Sequence, residues 1–194
     1  MDMLQISLLG SPQITWMNQP YTIPRRTSRA LLFFLASHPS PVPRSQILTT
    51  FWSESSEKAA RAQLRDHLGK LRSSLPIPDM LLADINQVSI NFDLVQVDVV
   101  DYLKALNKIG RTPWKNPDTQ PLSDDLYQLM AHAVRQWRTS SFLTGISIPD
   151  TIALDDWISE TEQNLLITRE NLLQRLISHC EAIQSPIAIL EWIR

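Results

Sequence analysis

The segment from Glu57 to Leu75, EKAARAQLRDHLGKLRSSL, concentrates positive charge: it holds five Lys/Arg and only two acidic residues. Its leucines recur at helical spacing, and at about 100° per residue they fall on one stripe of a helix. Four cations line the adjacent edge of that stripe, namely Lys58, Arg61, Arg65 and Arg72. Guanidinium and ammonium groups bind phosphate oxygens, so such an edge could bind a polyanion.

A solvated helix surface is the alternative explanation of these charges, and the segment alone leaves the two equally open. Solvated surfaces usually mix charge signs four residues apart, whereas this segment segregates them. A helix in the major groove of DNA needs one side anchored in its own domain and an adjacent side of Arg or Lys. As the third helix before a predicted hairpin, the segment is better explained as a recognition helix, with Arg44 as a phosphate contact from the preceding helix.

The charge distribution along the chain supports a polyanion-binding N-terminal part. The 194 residues carry a net charge of −2. Residues 1–75 hold nine Lys/Arg and four Asp/Glu, a charge of +5, and residues 76–194 hold nine and sixteen, a charge of −7. A basic module followed by an acidic remainder is typical of a nucleic-acid-binding domain joined to a second domain.

Hydrophobic periodicity predicts the elements that position these cations. Period-two alternation in LQISLLG, PQITWM and YTI predicts a small antiparallel sheet at the N-terminus. A helix capped by Thr27 or Ser28 and a short helix from Pro43 or Arg44 follow, and Ser55 or Ser56 is the expected cap of the basic helix. MLLADINQVSINF predicts a β-hairpin with its turn at 84–87.

From Val97 onward the pattern is helical. It predicts a helix at the start of this region, a loop at 111–121, a helix at 122–138, either one long helix or two over 154–183, and a further helix in PIAILEWIR. The fold class is therefore α+β in the first half and all-α in the second. Paired helices of this length suit a helical-repeat array.

Several classes of protein are disfavoured by what the sequence lacks. The four glycines are too far apart for a nucleotide-cradling loop, and no hydrolase or metalloprotease motif occurs. His179-Cys180 has no second ligand pair at zinc spacing, so we expect Cys180 to be a small buried residue. We predict no enzyme activity, no cofactor and no metal. The N-terminus resembles a strand more than a signal peptide and the longest apolar run is seven residues, so we expect a cytoplasmic protein without membrane contact.

The chain resembles a known family of bacterial transcriptional activators, the antibiotic-regulatory-protein (SARP, AfsR-like) activators. RALLFFLA, the short helix ending in Phe51-Trp52, ARAQLRDHLGKLR and VSINFDLVQVDVVDYLKAL look like their OmpR/PhoB-type winged-helix domain. FLTGISIPDTIALDDWISETEQNLL resembles their bacterial transcriptional activator domain (BTAD), a TPR-like helical module. The features of that module found here are Phe142, Leu143, Gly145, Pro149, Asp150 and Trp157.

The resemblance implies a winged helix-turn-helix over residues 1–97 and a TPR-like helical domain over 98–194, which we expect to be truncated. It implies a sequence-specific activator that binds double-stranded DNA and recruits RNA polymerase, with a homodimer on direct repeats as a further possibility. The implied recognition-helix residues are Arg61, Arg65, Lys70 and Arg72, although the helical wheel places Lys70 off the cationic edge. The implied polymerase-facing loop is Trp52, Ser53, Glu54, Ser55 and Ser56.

The predicted wing departs from the family pattern, because no Lys or Arg lies between Arg72 and Lys104. Asn86 and Gln87 could still hydrogen-bond in the minor groove, and Asn86 is taken as a candidate contact. The uncharged wing and the acidic second half also leave a different function open. In that alternative the chain is a protein–protein adaptor whose winged helix no longer binds DNA.

Overall fold

The computed structural model describes residues 3–111, 121–149 and 151–192, so most of the loop predicted at 111–121 lies outside the described residues. In chain order the N-terminal elements are β1 (Leu4–Ser7), β2 (Gln13–Trp16), β3 (Gln19–Pro20), α1 (Arg26–Ala36), β4 (Val42–Pro43), α2 (Arg44–Trp52), α3 (Glu57–Ser74), β5 (Leu81–Ala83), β6 (Gln87–Ile90) and β7 (Val95–Val97). The helices that follow are α4 (Asp98–Arg111), α5 (Asp124–Arg135), α6 (Ile152–Ala182) and α7 (Pro186–Trp192).

The N-terminal sheet has the strand order β3-β2-β1-β7 and is mixed, whereas we predicted an antiparallel sheet. β1 pairs antiparallel with β2 in the register Ile6 to Ile14, and it pairs parallel with β7 in the register Ile6 to Val97. The chain reaches β7 only after three helices and a hairpin. A long crossover of this kind lets a strand return parallel to its neighbour.

The turn between β2 and β3 lies one position earlier than the predicted break at Asn18-Gln19-Pro20. Met17 and Asn18 both have positive φ, 51° and 59°. Two successive left-handed residues form the tight hairpin turn that matches the twist of antiparallel strands. Gln19 and Pro20 are therefore a short strand at the edge of the sheet, where proline removes no interior hydrogen bond.

The three N-terminal helices match the prediction except at one cap. Ser56 caps α3 as expected, its hydroxyl accepting from the Ala59 N–H at 3.4 Å. The predicted cap of α1 at Thr27 or Ser28 is wrong, because the helix begins at Arg26 and has no side-chain cap. Ser28 is instead buried in the helix, with its hydroxyl 3.0 Å from His67 Nδ1 of α3.

The predicted hairpin is present as β5 and β6, and a third strand joins it. β4 pairs antiparallel with β6, with Val42 opposite Val88 and Pro43 opposite Gln87. No strand was predicted at residues 42–43, because a two-residue strand has no periodicity to detect. This pairing fixes the hairpin, which we call the wing (81–90), against the start of α2.

The second half of the described chain is helical. The ambiguous region 154–183 is one helix of 31 residues, α6, rather than two. Ser123 caps α5, and Asp124 and Asp125 lie in its first turn, where the helix dipole favours acids. Cys180 is fully buried, as predicted, and the His179 ring accepts a hydrogen bond from the Leu122 N–H at 2.9 Å.

Among the described helices, none combines the length and the apolar character that a bilayer crossing requires.

A contact that we call the junction connects the N-terminal sheet to the helical half. The loop after β1 accepts backbone hydrogen bonds from the connection between α5 and α6: Arg138 N–H to Leu9 at 3.2 Å and Leu143 N–H to Leu8 at 3.1 Å. Asp98 accepts from the Leu8 and Leu9 N–H groups at 2.7 and 3.1 Å. Burial raises the pKa of Asp98, and these N–H donors act in the opposite direction.

Two further features close the junction. Gly10 has φ of +126°, and a Cβ at this position would lie 3.1 Å from the Thr139 hydroxyl, so only glycine fits without strain. On the other side, the Trp157 ring of α6 packs against Phe34 of α1 at 4.7 Å between centroids. It also stacks nearly parallel on His38, two residues after the end of α1, at 5.6 Å. The helical half is thus packed directly against the α+β N-terminal half.

Candidate nucleic-acid interface

Helix α3 is anchored by the leucine stripe that the sequence predicted. Leu64, Leu68, Leu71 and the following Leu75 are all buried in the common core. Next to this stripe, Arg61 and Arg65 are exposed on the N-terminal half of the helix. The helix therefore presents two adjacent surfaces, an apolar one inside the protein and a basic one in solvent.

The exposed surface of α3 forms one wall of a cleft of about 480 Å³, which we call the basic cleft. The start of α2 and the tip of the wing form the other walls. The residues that line it are Arg44, Ser45, Leu48, Glu57, Arg61, Leu64, Arg65, Ile85 and Asn86. Four of the predicted DNA-binding residues, Arg44, Arg61, Arg65 and Asn86, are therefore brought to one site from three separate elements.

Arg61 forms an ion pair with Glu57 one turn earlier on α3, at 2.5 Å. The two side chains are 65% and 74% exposed, so the pair is solvated. Solvated pairs at this helical spacing contribute only about 0.3–0.5 kcal/mol. A phosphate could therefore replace Glu57 as the partner of Arg61 at little cost.

Arg65 and Lys58 differ from Arg61 in having no acidic partner. Both side chains are exposed, and neither forms an ion pair with any residue in the described parts of the chain. Arg65 lines the basic cleft, whereas Lys58 lies in the first turn of α3 outside its lining. Among the cations that line this cleft, Arg65 would therefore give up the fewest existing contacts on binding an anion.

The wing tip is a turn built on Asp84. One carboxylate oxygen of Asp84 accepts from the Asn86 and Gln87 N–H groups at 2.7 and 2.9 Å, and these bonds lower the pKa of Asp84. Arg44 fastens the turn to α2, because its N–H donates to the Asn86 carbonyl at 2.8 Å and its Nε donates to the Asp84 carbonyl at 2.9 Å. Arg44, predicted as a phosphate contact, thus also positions the wing.

Two predicted recognition residues have other contacts. Lys70 is half-buried and paired with Asp66 on α3, outside the basic cleft, in keeping with its position on the helical wheel. Arg72 lies on the expected edge, but its Nη2 donates to the Leu81 carbonyl of the wing at 3.0 Å. It lines a different cleft, shared with Leu82 and Ser89.

The predicted polymerase-facing loop connects α2 to α3. Ser53, Glu54 and Ser56 are exposed, and Trp52 is half-buried. The Trp52 ring stacks on His67 of α3 at 5.7 Å between centroids. Burial lowers the pKa of His67, which favours the neutral ring beside the indole. The loop is thereby held close to α3.

The sequence prediction overlooked Ile85 in the basic cleft. This side chain is 87% exposed at the wing tip and is flanked by the turn residues Asp84 and Asn86. The pattern DINQ did contain a signal, since a large β-branched residue is unusual inside a polar turn.

The described residues contain no group of three or more His, Cys, Asp or Glu placed to bind a metal ion.

Comparison with known proteins gives a relationship of fold. No protein-family model matches the chain, and no curated protein matches it in sequence. Among solved structures, it is similar to Mycobacterium tuberculosis EmbR in complex with a low affinity phosphopeptide, with a TM-score of 0.64 and 19% identity. The chain therefore has the same overall fold as this part of EmbR. The similarity covers 100% of this chain and 50% of the EmbR chain, so the chain spans half the length of that neighbour.

Proposed function

We propose that this chain is a sequence-specific DNA-binding transcriptional regulator of the SARP type, an activator and not an enzyme, that works in the bacterial cytoplasm. In this proposal α3 lies in the major groove and its basic edge contacts phosphates and bases. The observation that carries the proposal is the position of Arg61 and Arg65. They are exposed on a helix whose other side is buried, in a cleft that the wing and α2 complete.

The charges around these arginines favour DNA over simple solvation. Within the described residues 76–111, 121–149 and 151–192, no carboxylate pairs with Arg61, whose partner is Glu57 on its own helix. Arg65 has no ion pair in the part of the chain that the structure describes. Contrary to the charge segregation predicted from the sequence, Arg61 and Lys70 each pair with an acid four residues away on α3. These pairs are weak, so a phosphate could still compete for Arg61, and Arg65 has no such competitor among the described residues.

A salt titration of DNA binding tests the proposal. Fluorescence anisotropy with a random-sequence duplex should detect binding at low salt. If about four phosphates are neutralised, the slope of log K against log salt should be about −4. A parent protein that binds no duplex at low salt would contradict the proposal.

Substitution of the two cleft arginines tests the assigned helix. Selection of duplexes from a random library with the parent protein would first define a preferred site. Arg61→Ala or Arg65→Ala should then weaken binding to that site by about 1–3 kcal/mol and relax its sequence preference. Two variants that bind every duplex as tightly as the parent would show that a different surface contacts DNA.

Recruitment of RNA polymerase is the finer part of the proposal, and it rests on the loop of residues 52–56. Glu54 is exposed there, next to the DNA-binding helix. Glu54→Lys should reduce activation in transcription with purified polymerase while the affinity for promoter DNA stays within about twofold of the parent.

Two molecules bound on a direct repeat would appear as cooperative binding to two adjacent sites.

A protein–protein adaptor is the second candidate function. It is favoured by the wing, which carries no Lys or Arg, and by large exposed apolar residues on the helical half, including Ile152, Ile167 and Ile187. An adaptor would show no salt-dependent DNA binding in the titration above. It would also bind a purified partner with an affinity that Ile167→Ala or Ile187→Ala weakens and Arg65→Ala does not.

A further inference from the structure

The wing tip presents an apolar side chain to solvent where a DNA-binding wing would be expected to carry a cation. Ile85 is 87% exposed, the highest exposure among the large exposed hydrophobic residues of the described chain. Burial of a β-branched aliphatic side chain is favourable, so a folded protein gains nothing by exposing one at a tip. A function at the tip would account for it.

The turn holds this isoleucine in a fixed position. Asp84 accepts from two N–H groups of the turn, and its own N–H donates to the Gln87 carbonyl at 3.0 Å. Arg44 adds two hydrogen bonds from α2 to the same turn. A turn whose backbone is braced in this way loses little conformational freedom on binding, which is the usual advantage of a preorganised contact.

Ile85 also belongs to the same cleft as the candidate DNA-binding arginines. It lines the basic cleft together with Arg61, Arg65 and Asn86. When a helix occupies the major groove, a segment beside it can reach the adjacent minor groove, as the N-terminal arm of a homeodomain does. Proteins that bind the minor groove often insert Phe, Leu, Ile or Met between base pairs, which unstacks the step and bends the duplex.

We propose that Ile85 is an apolar wedge that enters the minor groove of duplex DNA, with the Asn86 carboxamide hydrogen-bonding to base edges beside it. This inference rests on the proposed DNA-binding function and specifies how the wing takes part. The preferred ligand is a duplex with a flexible pyrimidine–purine step, such as TA, under the wing, because these steps unstack most easily. The wing thereby contributes to sequence preference without a cation.

The test uses the intact chain and duplexes selected with the parent protein. Affinity is measured by anisotropy, and bending is measured by energy transfer between dyes at the two ends of a duplex with a single site. Ile85→Ala is the test variant. Leu82→Ala is the matched control, because Leu82 is a 46% exposed aliphatic residue of the same hairpin that lines the other cleft.

The expected result is a bend of roughly 20–90° with the parent, largely lost in Ile85→Ala. Affinity for the single site should fall about tenfold in Ile85→Ala. The preference for TA over AA under the wing should disappear, and Leu82→Ala should behave as the parent.

Several results would overturn the wedge. The first is equal affinity and bending in Ile85→Ala and the parent, and the second is an equal loss in Ile85→Ala and Leu82→Ala. The third is a duplex that the parent leaves straight. The fourth is a defect seen only on two adjacent sites, which would assign Ile85 to a contact between protein molecules. Failure of the parent to bind any DNA is a separate outcome and would overturn the proposed function itself.

Discussion

The basic cleft and the junction both involve the α+β N-terminal half, but their polar groups have different partners. At the junction, Asp98 and the N–H groups of Leu8 and Leu9 satisfy one another inside the protein. In the basic cleft, Arg65 has no ion pair among the described residues, and the pair of Arg61 with Glu57 is solvated. One region is closed by its own contacts, and the other is open to a ligand.

This difference separates the polar groups that stabilise the fold from those available for binding. Removing one partner of a buried polar contact leaves the other without a hydrogen bond, which costs far more than losing a solvated ion pair. Substitutions at the junction should therefore change the free energy of unfolding, whereas substitutions in the cleft should change affinity for a ligand. The following predictions test that division.

The largest effect is expected at the aromatic part of the junction. Trp157→Ala removes the ring that contacts Phe34, His38 and Phe142. It should lower the free energy of unfolding by about 3 kcal/mol, measured by urea denaturation. Ile167→Ala, an exposed site on the same helix, should change it by less than about 0.5 kcal/mol. Equal unfolding midpoints for the two variants would show that the rings do not stabilise the junction.

The next largest effect is expected at Asp98. Asp98→Ala leaves the Leu8 and Leu9 N–H groups without their acceptor, which should cost about 2 kcal/mol of unfolding free energy. Asp101→Ala removes a carboxylate from the same helical turn, where its partners Gln96 and Lys104 are on the surface, and should cost well under 1 kcal/mol. DNA affinity, corrected for the folded fraction, should not change in either variant.

Lys70 provides the sharpest contrast with Arg65 on one helix. Both belong to the predicted recognition helix, but Lys70 is paired with Asp66 away from the basic cleft. Lys70→Ala should therefore change DNA affinity by less than about 0.5 kcal/mol, against about 1–3 kcal/mol for Arg65→Ala. Anisotropy titrations at one salt concentration give both values. Equal losses would extend the interface along α3 beyond the cleft.

The smallest effect is a dependence of stability on pH. Burial at the junction lowers the pKa of His38, so the folded protein favours the neutral ring. The stabilisation is complete above the ordinary pKa of about 6.5 and is lost as the pH falls from there through the lowered folded-state pKa. His38→Phe keeps a ring against Trp157 without a titrating group. Its free energy of unfolding should fall less than the parent's between pH 7.5 and 5.5, and identical slopes would exclude His38 as a contributor.

The local elements were largely predictable because they depend on near neighbours in the chain. Ser56 as the cap of α3, the turn at 84–87 and the buried leucines of α3 follow from hydrogen bonds and periodicity within a few residues. The failures involve distant contacts. Ser28 looked like a helix cap, but it is buried against His67, 39 residues away, and the two-residue strand β4 is defined only by its pairing with β6.

The candidate site shows the same division. The wheel identified Arg61 and Arg65 because both lie on one helix, whose geometry fixes their directions. It could not show that Arg72 reaches the Leu81 carbonyl, that Arg44 braces the wing, or that Ile85 joins the cleft. Each of these facts depends on how the wing packs against α2 and α3.

The sequence by itself determined an amphipathic helix with a buried leucine stripe and a cationic edge. The reason is that the helical turn of about 100° per residue fixes which side of the helix each residue faces. Only the tertiary structure decided which cations remain available to bind a ligand and which residues line the cleft opposite them. Those outcomes depend on contacts between residues tens of positions apart, such as Arg44 with Asp84, and no local pattern encodes them.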